Sequence, residues 1–219
     1  MEIKVLKNVM IKNNLKAVDN RNQFLKNKVV SLNLVSSPGA GKTTLLENTL
    51  ELLQGKYKTS VIEGDLYTSR DAERLTKFNI PLVQINTEGG CHLDARMIGG
   101  ALKEIELNKM DIVFVENVGN LVCPASFDLG EEARVLVYSI TEGDDKPRKY
   151  ETMFKTADVV LINKIDLATA CNVDIVKVEK EIKEINNKCI VFKVSALNKT
   201  SLKEWINWLE GKVERIKKN

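Results

Sequence analysis

A regular alternation of short apolar runs with longer amphipathic segments constrains the fold more than any other feature of this chain. Seven runs rich in Val and Ile have the length of buried strands; they cover residues 29–35, 59–62, 82–85, 112–115, 133–140, 159–162 and 190–194. Most are separated by helix-length segments, at 44–54, 69–78, 93–108, 173–186 and 202–217. Strands that alternate with helices form parallel βαβ units. The sequence therefore predicts an α/β fold in which helices cover both faces of a mostly parallel sheet.

Two further segments define the organisation of the chain. Residues 1–28 carry apolar side chains at loose helical spacing among Lys and Asn. We interpret them as an N-terminal helical preamble to a single domain over residues 29–219. Residues 117–128 show little helical pattern and are predicted to form a long loop, which in compact domains is more often functional than not.

Composition disfavours several classes of protein. Hydrophobic residues make up 43% of the 219 residues, enough for a sizeable core and too many for global disorder. No stretch approaches the roughly 20 apolar residues that a membrane span requires, and the N-terminus has no apolar run of signal-peptide length. We therefore expect a cytoplasmic protein that does not bind membranes. The 33 basic and 30 acidic residues are interspersed, whereas nucleic-acid binders concentrate basic charge on one face. We therefore do not expect this chain to bind nucleic acid.

The segment 36–43 has the composition of a phosphate-binding loop between a strand and a helix. Polyphosphate requires backbone N–H groups around a concavity with little side-chain bulk. Lys42 is expected to reach the β and γ phosphates, and the Thr43 hydroxyl to bind Mg²⁺. Ser36 stands where the usual G-x-x-x-x-G-K-T pattern has Gly, which a relaxed loop tolerates. The sequence thus predicts a P-loop NTPase whose nucleotide contacts here are Gly39, Ala40, Gly41, Lys42, Thr43 and Thr44.

A second motif, at residues 163–166, has the residues needed to read guanine. It follows the apolar run 159–162, and open α/β sheets bind ligands where their strands end. Asp166 can accept hydrogen bonds from both N1–H and N2–H₂ of guanine, a pair of donors that adenine lacks. Asn163 is expected to buttress the loop and contact the base, and the Lys164 stem to cover the ring. One strand later, backbone groups of Ser195, Ala196 and Leu197 are expected to meet guanine O6.

Acidic residues at two other strand ends are candidates for the chemistry of the γ-phosphate. Glu116 ends an apolar strand, where GTPases keep a carboxylate near Mg²⁺, and Gly119 follows at the place of a γ-phosphate contact. Asn120 occupies the position where a water-orienting Gln often lies. Asp65 and Asp71 are candidates for contacts with Mg²⁺ or water, although either residue could instead cap the helix predicted over 69–78.

Three further side chains form a candidate site for a transition metal. Cys91 and the single histidine of the chain, His92, are adjacent, and Cys123 lies in the predicted long loop. Thiolate and imidazole are ligands that suit Zn²⁺ or Ni²⁺. Three ligands do not close a tetrahedral structural site, so this one would be open for transfer or completed by a second chain. On spacing alone the alternative stays open that the cysteines are small buried apolar groups.

Taken together, these motifs resemble the family of hydrogenase nickel-incorporation GTPases, HypB. The resemblance covers about residues 29–199 and rests on Asn-Lys-Ile-Asp and on four longer blocks of sequence, at 36–46, 63–74, 89–95 and 116–124. It implies a GTP-dependent homodimer that works with the accessory protein HypA to deliver nickel to the precursor of the [NiFe]-hydrogenase large subunit. It also implies that Cys91, His92 and Cys123 form the metal site near the dimer interface. Lys146, Arg148 or Lys149 would contact the nucleotide across the dimer, unless this basic run is an ordinary exposed loop.

Departures from related families bear on the alternatives. Residues 1–28 contain neither Cys nor His, so a separate nickel-storage motif is not expected there. Ser37 stands where related dimeric ATPases place a second Lys, which argues against membership of that branch. The urease accessory GTPases usually carry Cys-Pro-His, but Ala125 follows Cys123-Pro124 here. A nucleotide kinase usually lacks N-K-x-D, and a metal-sequestering protein with vestigial GTPase activity remains as a third alternative.

Overall fold

The computed structural model describes residues 8–65 and 70–218, and its centre is a seven-stranded sheet. All registered strand pairs are parallel, and the strand order is β3-β2-β4-β1-β5-β6-β7. The strands are β1 (Val30–Ser36), β2 (Thr59–Asp65), β3 (Leu82–Asn86), β4 (Ile112–Glu116), β5 (Ala133–Ser139), β6 (Val159–Asn163) and β7 (Ile190–Lys193). The predicted α/β fold is confirmed, because each strand falls on one of the seven apolar runs.

Helices cover both faces of this sheet. They are α1 (Asn8–Lys26), α2 (Lys42–Leu53), α3 (Arg70–Leu75), α4 (Ala95–Ala101), α5 (Lys146–Lys149), α6 (Glu151–Thr156), α7 (Ile175–Ile185) and α8 (Lys203–Lys218). One apolar cluster joins α2 and α8 to the sheet, and its largest fully buried side chain, Trp205, donates a hydrogen bond to Thr49 Oγ1 at 3.0 Å. Two clusters on the opposite face hold α6 and α7, and α1 and α4. Among the described residues, no helix is long and apolar enough to cross a membrane.

The helix predicted over 93–108 is much shorter in the structure, so this prediction was wrong in length. Helix α4 ends at Ala101 and is followed by short 3-10 turns. Gly99 and Gly100 weaken a helix at this point. Gly99 also permits close packing, since a Cβ there would lie 2.5 Å from Lys16 Cε and 2.9 Å from Asn20 Oδ1 of α1.

The N-terminal helix packs directly against the rest of the fold. Buried Asn20 donates hydrogen bonds to the carbonyl oxygens of Ala95 and Leu129 at 2.7 and 3.0 Å. Asn13 receives the Ala95 N–H and donates to the Asp128 carbonyl. The helical preamble predicted over residues 1–28 is thus observed as a helix over Asn8–Lys26, while residues 1–7 lie outside the described residues. The division into a preamble and a domain at residue 29 stays a prediction.

The segment after β5 is helical rather than an exposed loop. Pro147 is buried in α5. Lys146 lies 3.6 Å from a Glu142 carboxylate oxygen and over the Tyr150 ring, and Arg148 pairs with Glu184 on α7. The run therefore forms a short helix rather than a loop, although Arg148 and Lys149 are exposed. Its contact with a nucleotide across a dimer stays a prediction.

Candidate functional site

A cleft lies at the carboxyl edge of the sheet, where the order of the strands reverses. Strand β1 lies between β4 and β5, and ligands of open α/β sheets bind at such a switch point. The cleft measures about 460 Å³ and is lined by the loop 36–44, by 63–65, Asp71 and Arg74, and by 117–119. The structure thus brings the predicted phosphate loop and the predicted acidic residues to one place.

The phosphate loop has the backbone conformation and the free space that its glycines predict. Gly39 and Gly41 have φ values of 73° and 94°, a left-handed region that side chains disfavour. A Cβ on Gly41 would also lie 2.7 Å from Asn163 Nδ2. Helix α2 begins at Lys42 directly after the loop, so unpaired N–H groups and the positive end of the helix dipole are aimed at the cleft. This arrangement suits a polyphosphate.

Lys42 and Thr43 are both engaged by one buried carboxylate. Glu116 is 1% exposed, and its Oε1 accepts from Lys42 Nζ at 3.0 Å and from Thr43 Oγ1 at 2.6 Å. Its Oε2 atom is buried without a hydrogen-bond partner among the described residues. A buried oxygen of this kind is costly unless a ligand or ion satisfies it. The three residues predicted to surround Mg²⁺ and phosphate therefore hold each other in place.

Glu63 is a site residue that sequence reasoning missed. It pairs with Glu116 across β2 and β4, is 2% exposed, and leaves Oε2 without a partner among the described residues. Burial, and then the nearby Glu116 carboxylate, raise its pKa to about 8. The signal was present in the sequence, because alternate residues of a strand share a face and Glu63 lies two positions before Asp65.

A group of three carboxylates fits a divalent cation. Oxygens of Glu63, Asp65 and Asp71 lie within 4.8 Å of one another. Asp71 lies inside α3 and 3.5 Å from Arg74 Nη1, so it is not the N-cap residue of that helix. The residue before Arg70, where the helix was predicted to begin, lies outside the described residues. Carboxylate and hydroxyl oxygens around a phosphate cleft are the donors that Mg²⁺ prefers.

The predicted base-reading motif is built against the phosphate loop. Fully buried Asn163 donates to the Ala40 carbonyl at 2.8 Å and accepts from the Ala196 N–H at 2.9 Å. Lys164 Nζ donates to the Gly39 carbonyl at 2.8 Å. Asp166 and Leu197 are exposed beside this joint, while Ser195 is buried. Asn163 therefore joins three predicted segments, and the Asp166 side chain faces solvent where a base can approach.

The predicted metal ligands meet although 32 positions separate the two cysteines. Ligand atoms of Cys91, His92 and Cys123 lie within 4.8 Å of one another, with the two sulfur atoms 2.9 Å apart. The His92 ring stacks on Phe127 with centroids 3.9 Å apart. The Cys123 thiol, and then burial, raise the pKa of Cys91, and burial lowers the pKa of His92. Two sulfurs and an uncharged imidazole form a set that a soft or borderline metal ion would complete.

Two residues of the 116–120 segment link the metal ligands to the cleft. Gly119 packs on the phosphate loop, since a Cβ there would lie 3.2 Å from Pro38 Cα and N. Asn120 was predicted to orient water, but here its side-chain amide donates to the Cys91 carbonyl at 3.3 Å and its oxygen accepts from Val122 N–H. The segment 116–120 thus contacts the phosphate loop on one side and, on the other, the metal trio of Cys91, His92 and Cys123.

Comparisons with known proteins agree with this arrangement of motifs. A family profile described as "CobW/HypB/UreG, nucleotide-binding domain" matches residues 30–193. The hydrogenase maturation factor HypB of Escherichia coli K12 is 48% identical over 202 residues, which are 92% of this chain and 70% of that protein. The chain belongs to the HypB family. A probable HypB of Methanocaldococcus jannaschii is 40% identical over 97% of this chain and 96% of its own length.

Solved structures give the same relationship at the level of the fold. A HypB from Helicobacter pylori, crystallised in complex with nickel, superposes with a TM-score of 0.88 at 40% identity, over 93% of this chain and 96% of that one. A LAO/AO transport system kinase reaches a TM-score of 0.59 at 16% identity, which shows the shared fold alone. The predicted family, and with it the P-loop NTPase fold, is confirmed.

Proposed function

We propose that this chain is a GTP-hydrolysing metallochaperone that carries nickel for the maturation of [NiFe]-hydrogenase. The observation that carries the proposal is the placement of the Cys91, His92 and Cys123 ligands directly beside the Gly119 end of a nucleotide cleft. A nucleotide-dependent movement at Gly119 would reach these ligands within a few residues. Family membership and the nickel complex of the Helicobacter pylori relative support nickel as the cargo.

The nucleotide in this proposal is GTP. Asp166 is the carboxylate that would accept both guanine donors, and its exposed position next to the Asn163 and Lys164 joint leaves room for the base. Ser195, Ala196 and Leu197 would face guanine O6 on the other side. Asn163 is held between Ala40 and Ala196, so base and phosphate sites form one rigid unit.

Hydrolysis in this proposal uses the residues around the cleft. Thr43, Asp65 and Glu116 would hold Mg²⁺, with Glu63 and Asp71 beside them; the ion supplies charge neutralisation at the phosphates. Lys42 would exchange its bond with Glu116 for the β and γ phosphates. The Gly119 N–H would bind the γ-phosphate. Asn120 would orient water only if its bond to the Cys91 carbonyl breaks, so its catalytic role depends on a rearrangement of the metal segment.

The cargo site is incomplete in a single chain, and that supports transfer rather than storage. Three ligands leave a tetrahedral ion with an open position. A second copy of the chain, bound in a GTP-dependent homodimer, would cover or complete the site, and Lys146, Arg148 or Lys149 would approach the partner's nucleotide. Zn²⁺ fits the same ligands as Ni²⁺. The expected partners are a HypA-type accessory protein and the precursor of the hydrogenase large subunit, in the cytoplasm.

The alternatives each lack a supporting feature. Ala125 follows Cys123-Pro124 where the urease accessory type usually has His, although the Helicobacter pylori relative is named as a hydrogenase/urease maturation factor. A nucleotide kinase does not account for the metal trio or for the base-reading loop. A metal-sequestering protein does not account for a phosphate loop with an engaged lysine and threonine.

The proposal is tested by phosphate release with GTP alone, followed by metal analysis of the same sample. We expect turnover with GTP and Mg²⁺, little with ATP, and one Ni²⁺ or Zn²⁺ lost in Cys123→Ser. Mass measurement with GDP and with a non-hydrolysable GTP analogue is expected to show a dimer only with the analogue. Turnover that requires a nucleoside acceptor would support a kinase instead. Full hydrogenase maturation in cells with Lys42→Ala would support the sequestering protein.

A further inference from the structure

Asn117 lies between the nucleotide cleft and the metal ligands, and its side-chain oxygen accepts two hydrogen bonds. It directly follows Glu116, lines the cleft and is 1% exposed. Its Oδ1 accepts from Leu93 N–H at 3.2 Å and from Val118 N–H at 2.9 Å. Its Nδ2 donates to Asn33 Oδ1 on β1 at 3.1 Å. Both acceptor positions of the oxygen are therefore used, and the two partners belong to different functional segments.

The Leu93 end of this link is fixed to the residues that carry the metal. Leu93 directly follows Cys91 and His92 and is fully buried. Its side chain packs on Gly64 of β2, where a Cβ would lie 2.7 Å from Leu93 Cδ1. Gly64 lies between the carboxylates Glu63 and Asp65. The residue after the metal ligands is thus held by the nucleotide cleft on two sides, through its N–H and through its side chain.

The same polar network reaches the third metal ligand from the other side. Asn33 Nδ2 donates to Glu131, which is paired with buried Arg134 at 3.1 Å. Arg134 donates to the carbonyl oxygens of Ala125 and Phe127 at 3.0 and 2.7 Å. Ala125 lies within the turn that Cys123 begins, and Phe127 directly follows that turn and stacks on His92. Asn117 is therefore the point at which the supports of both metal-bearing segments join the strand that ends at Glu116.

We propose that Asn117 is the positioning residue that transmits the nucleotide state to the metal ligands, by moving Leu93 together with the 116–119 segment. A buried amide oxygen that accepts from both segments cannot let one segment move without breaking a bond or moving the other segment. This inference rests on the proposed function and deepens it. The Gly119-to-Cys123 connection moves one ligand along the chain, whereas Asn117 acts on Cys91 and His92 across space.

The test measures the ratio of the Ni²⁺ affinities in the two nucleotide states. A purely structural role would weaken metal binding equally in both states and leave this ratio unchanged. The affinity of the full-length protein for Ni²⁺ is titrated with Mg²⁺ and either GDP or a non-hydrolysable GTP analogue. We expect the wild-type affinities to differ by about 5-fold or more, the lower end of usual allosteric coupling. In Asn117→Ala the ratio is expected to fall to within about 2-fold of unity.

Gly64→Ala perturbs Leu93 independently and keeps the test decisive if Asn117→Ala unfolds. The new methyl must displace the Leu93 side chain, so the ratio is again expected to move towards unity. Asn186→Ala is the matched control, since the Asn186 side chain also makes several hydrogen bonds to the backbone, donating to the carbonyl oxygens of Phe154, Lys155 and Ala157, but on the α6–α7 side. It is expected to keep the wild-type ratio at lower thermal stability.

The outcomes separate this inference from the proposed function. A wild-type ratio above unity that survives in both Asn117→Ala and Gly64→Ala overturns the role of Asn117 and leaves a nucleotide-coupled carrier intact. A wild-type ratio of unity overturns the coupling itself and the inference with it. A ratio lost in the two variants and kept in Asn186→Ala supports the inference.

Discussion

The nucleotide cleft and the metal trio are neighbours, but they satisfy their polar groups in opposite ways. In the cleft, Lys42 is paired with Glu116, and Lys164 donates to the carbonyl of Gly39, so cations already have oxygen partners. In the trio, two sulfurs lie 2.9 Å apart beside an imidazole, and the Cys123 thiol, followed by burial, raises the pKa of Cys91. The cleft is therefore preorganised to exchange one partner for another, whereas the trio would need a bound metal ion to hold its sulfurs as thiolates. Substitutions in the cleft or in the trio are therefore expected to affect different ligands.

The largest effect is expected from Lys42→Ala, which removes the exchangeable cation of the cleft. The variant leaves buried Glu116 without its positive partner and the γ-phosphate without charge neutralisation. We expect GTP hydrolysis to fall by about 10²–10³-fold, as for the loss of one transition-state donor, measured as phosphate release. Lys56→Ala, at an exposed lysine paired with Glu210, serves as the control. A loss smaller than tenfold would show that Lys42 does not contact the phosphates.

Cys123→Ser is expected to damage the metal trio and leave the cleft unaffected. A serine oxygen cannot replace a thiolate for a borderline metal ion. Ni²⁺ affinity should fall by at least the about 10–100-fold that loss of an outer-shell partner costs, while GDP affinity stays unchanged. Titration calorimetry with each ligand measures both values. Cys171→Ser is the matched control, since Cys171 lies in the loop after β6, and equal losses in both variants would mean that the trio is not the site.

Asp166→Ala is expected to remove the choice of base without disturbing the phosphate loop. Inosine triphosphate lacks the N2 amino group, so wild type should prefer GTP over it by about 10–100-fold, the value of one hydrogen bond to a charged group. In the variant this preference should vanish, because the acceptor is gone. Competition binding with both nucleotides measures the ratio. A preference that persists would mean that an acceptor other than Asp166 reads the N2 amino group of guanine.

The two regions also differ in how much of them the sequence predicts. Local motifs include all three residues of the metal trio but miss Glu63 of the cleft, and all seven strands follow from apolar runs that only a buried sheet accommodates. Helices were harder, because a pair of glycines shortened α4, and α5 contains a proline and three charges. The bonds through Asn33, Glu131 and Arg134 join residues up to 98 positions apart, so local patterns give no sign of them. Such tertiary contacts are the ones on which the proposed coupling of the two sites depends.

Glu63 gives the smallest effect and tests whether the cleft carries an excess of buried negative charge without its ligands. Its folded pKa is about 8, raised from 4.5, so the folded state binds this proton more tightly than the unfolded state. The resulting stability is complete below pH 4.5 and is lost as pH rises through 8. Without Mg²⁺ and nucleotide, Glu63→Gln should match wild type near pH 4.5. Above pH 8 it should melt higher by about 2–4 °C for each kcal/mol of ionisation penalty removed.

The control is Glu104→Gln, at an exposed carboxylate, which should show no such trend. A melting difference for Glu63→Gln that does not change with pH would mean that Glu63 is already ionised in the folded protein. Lys42 would then neutralise both carboxylates, Glu63 and Glu116, and the cleft would carry no excess of buried negative charge that only its ligands could offset.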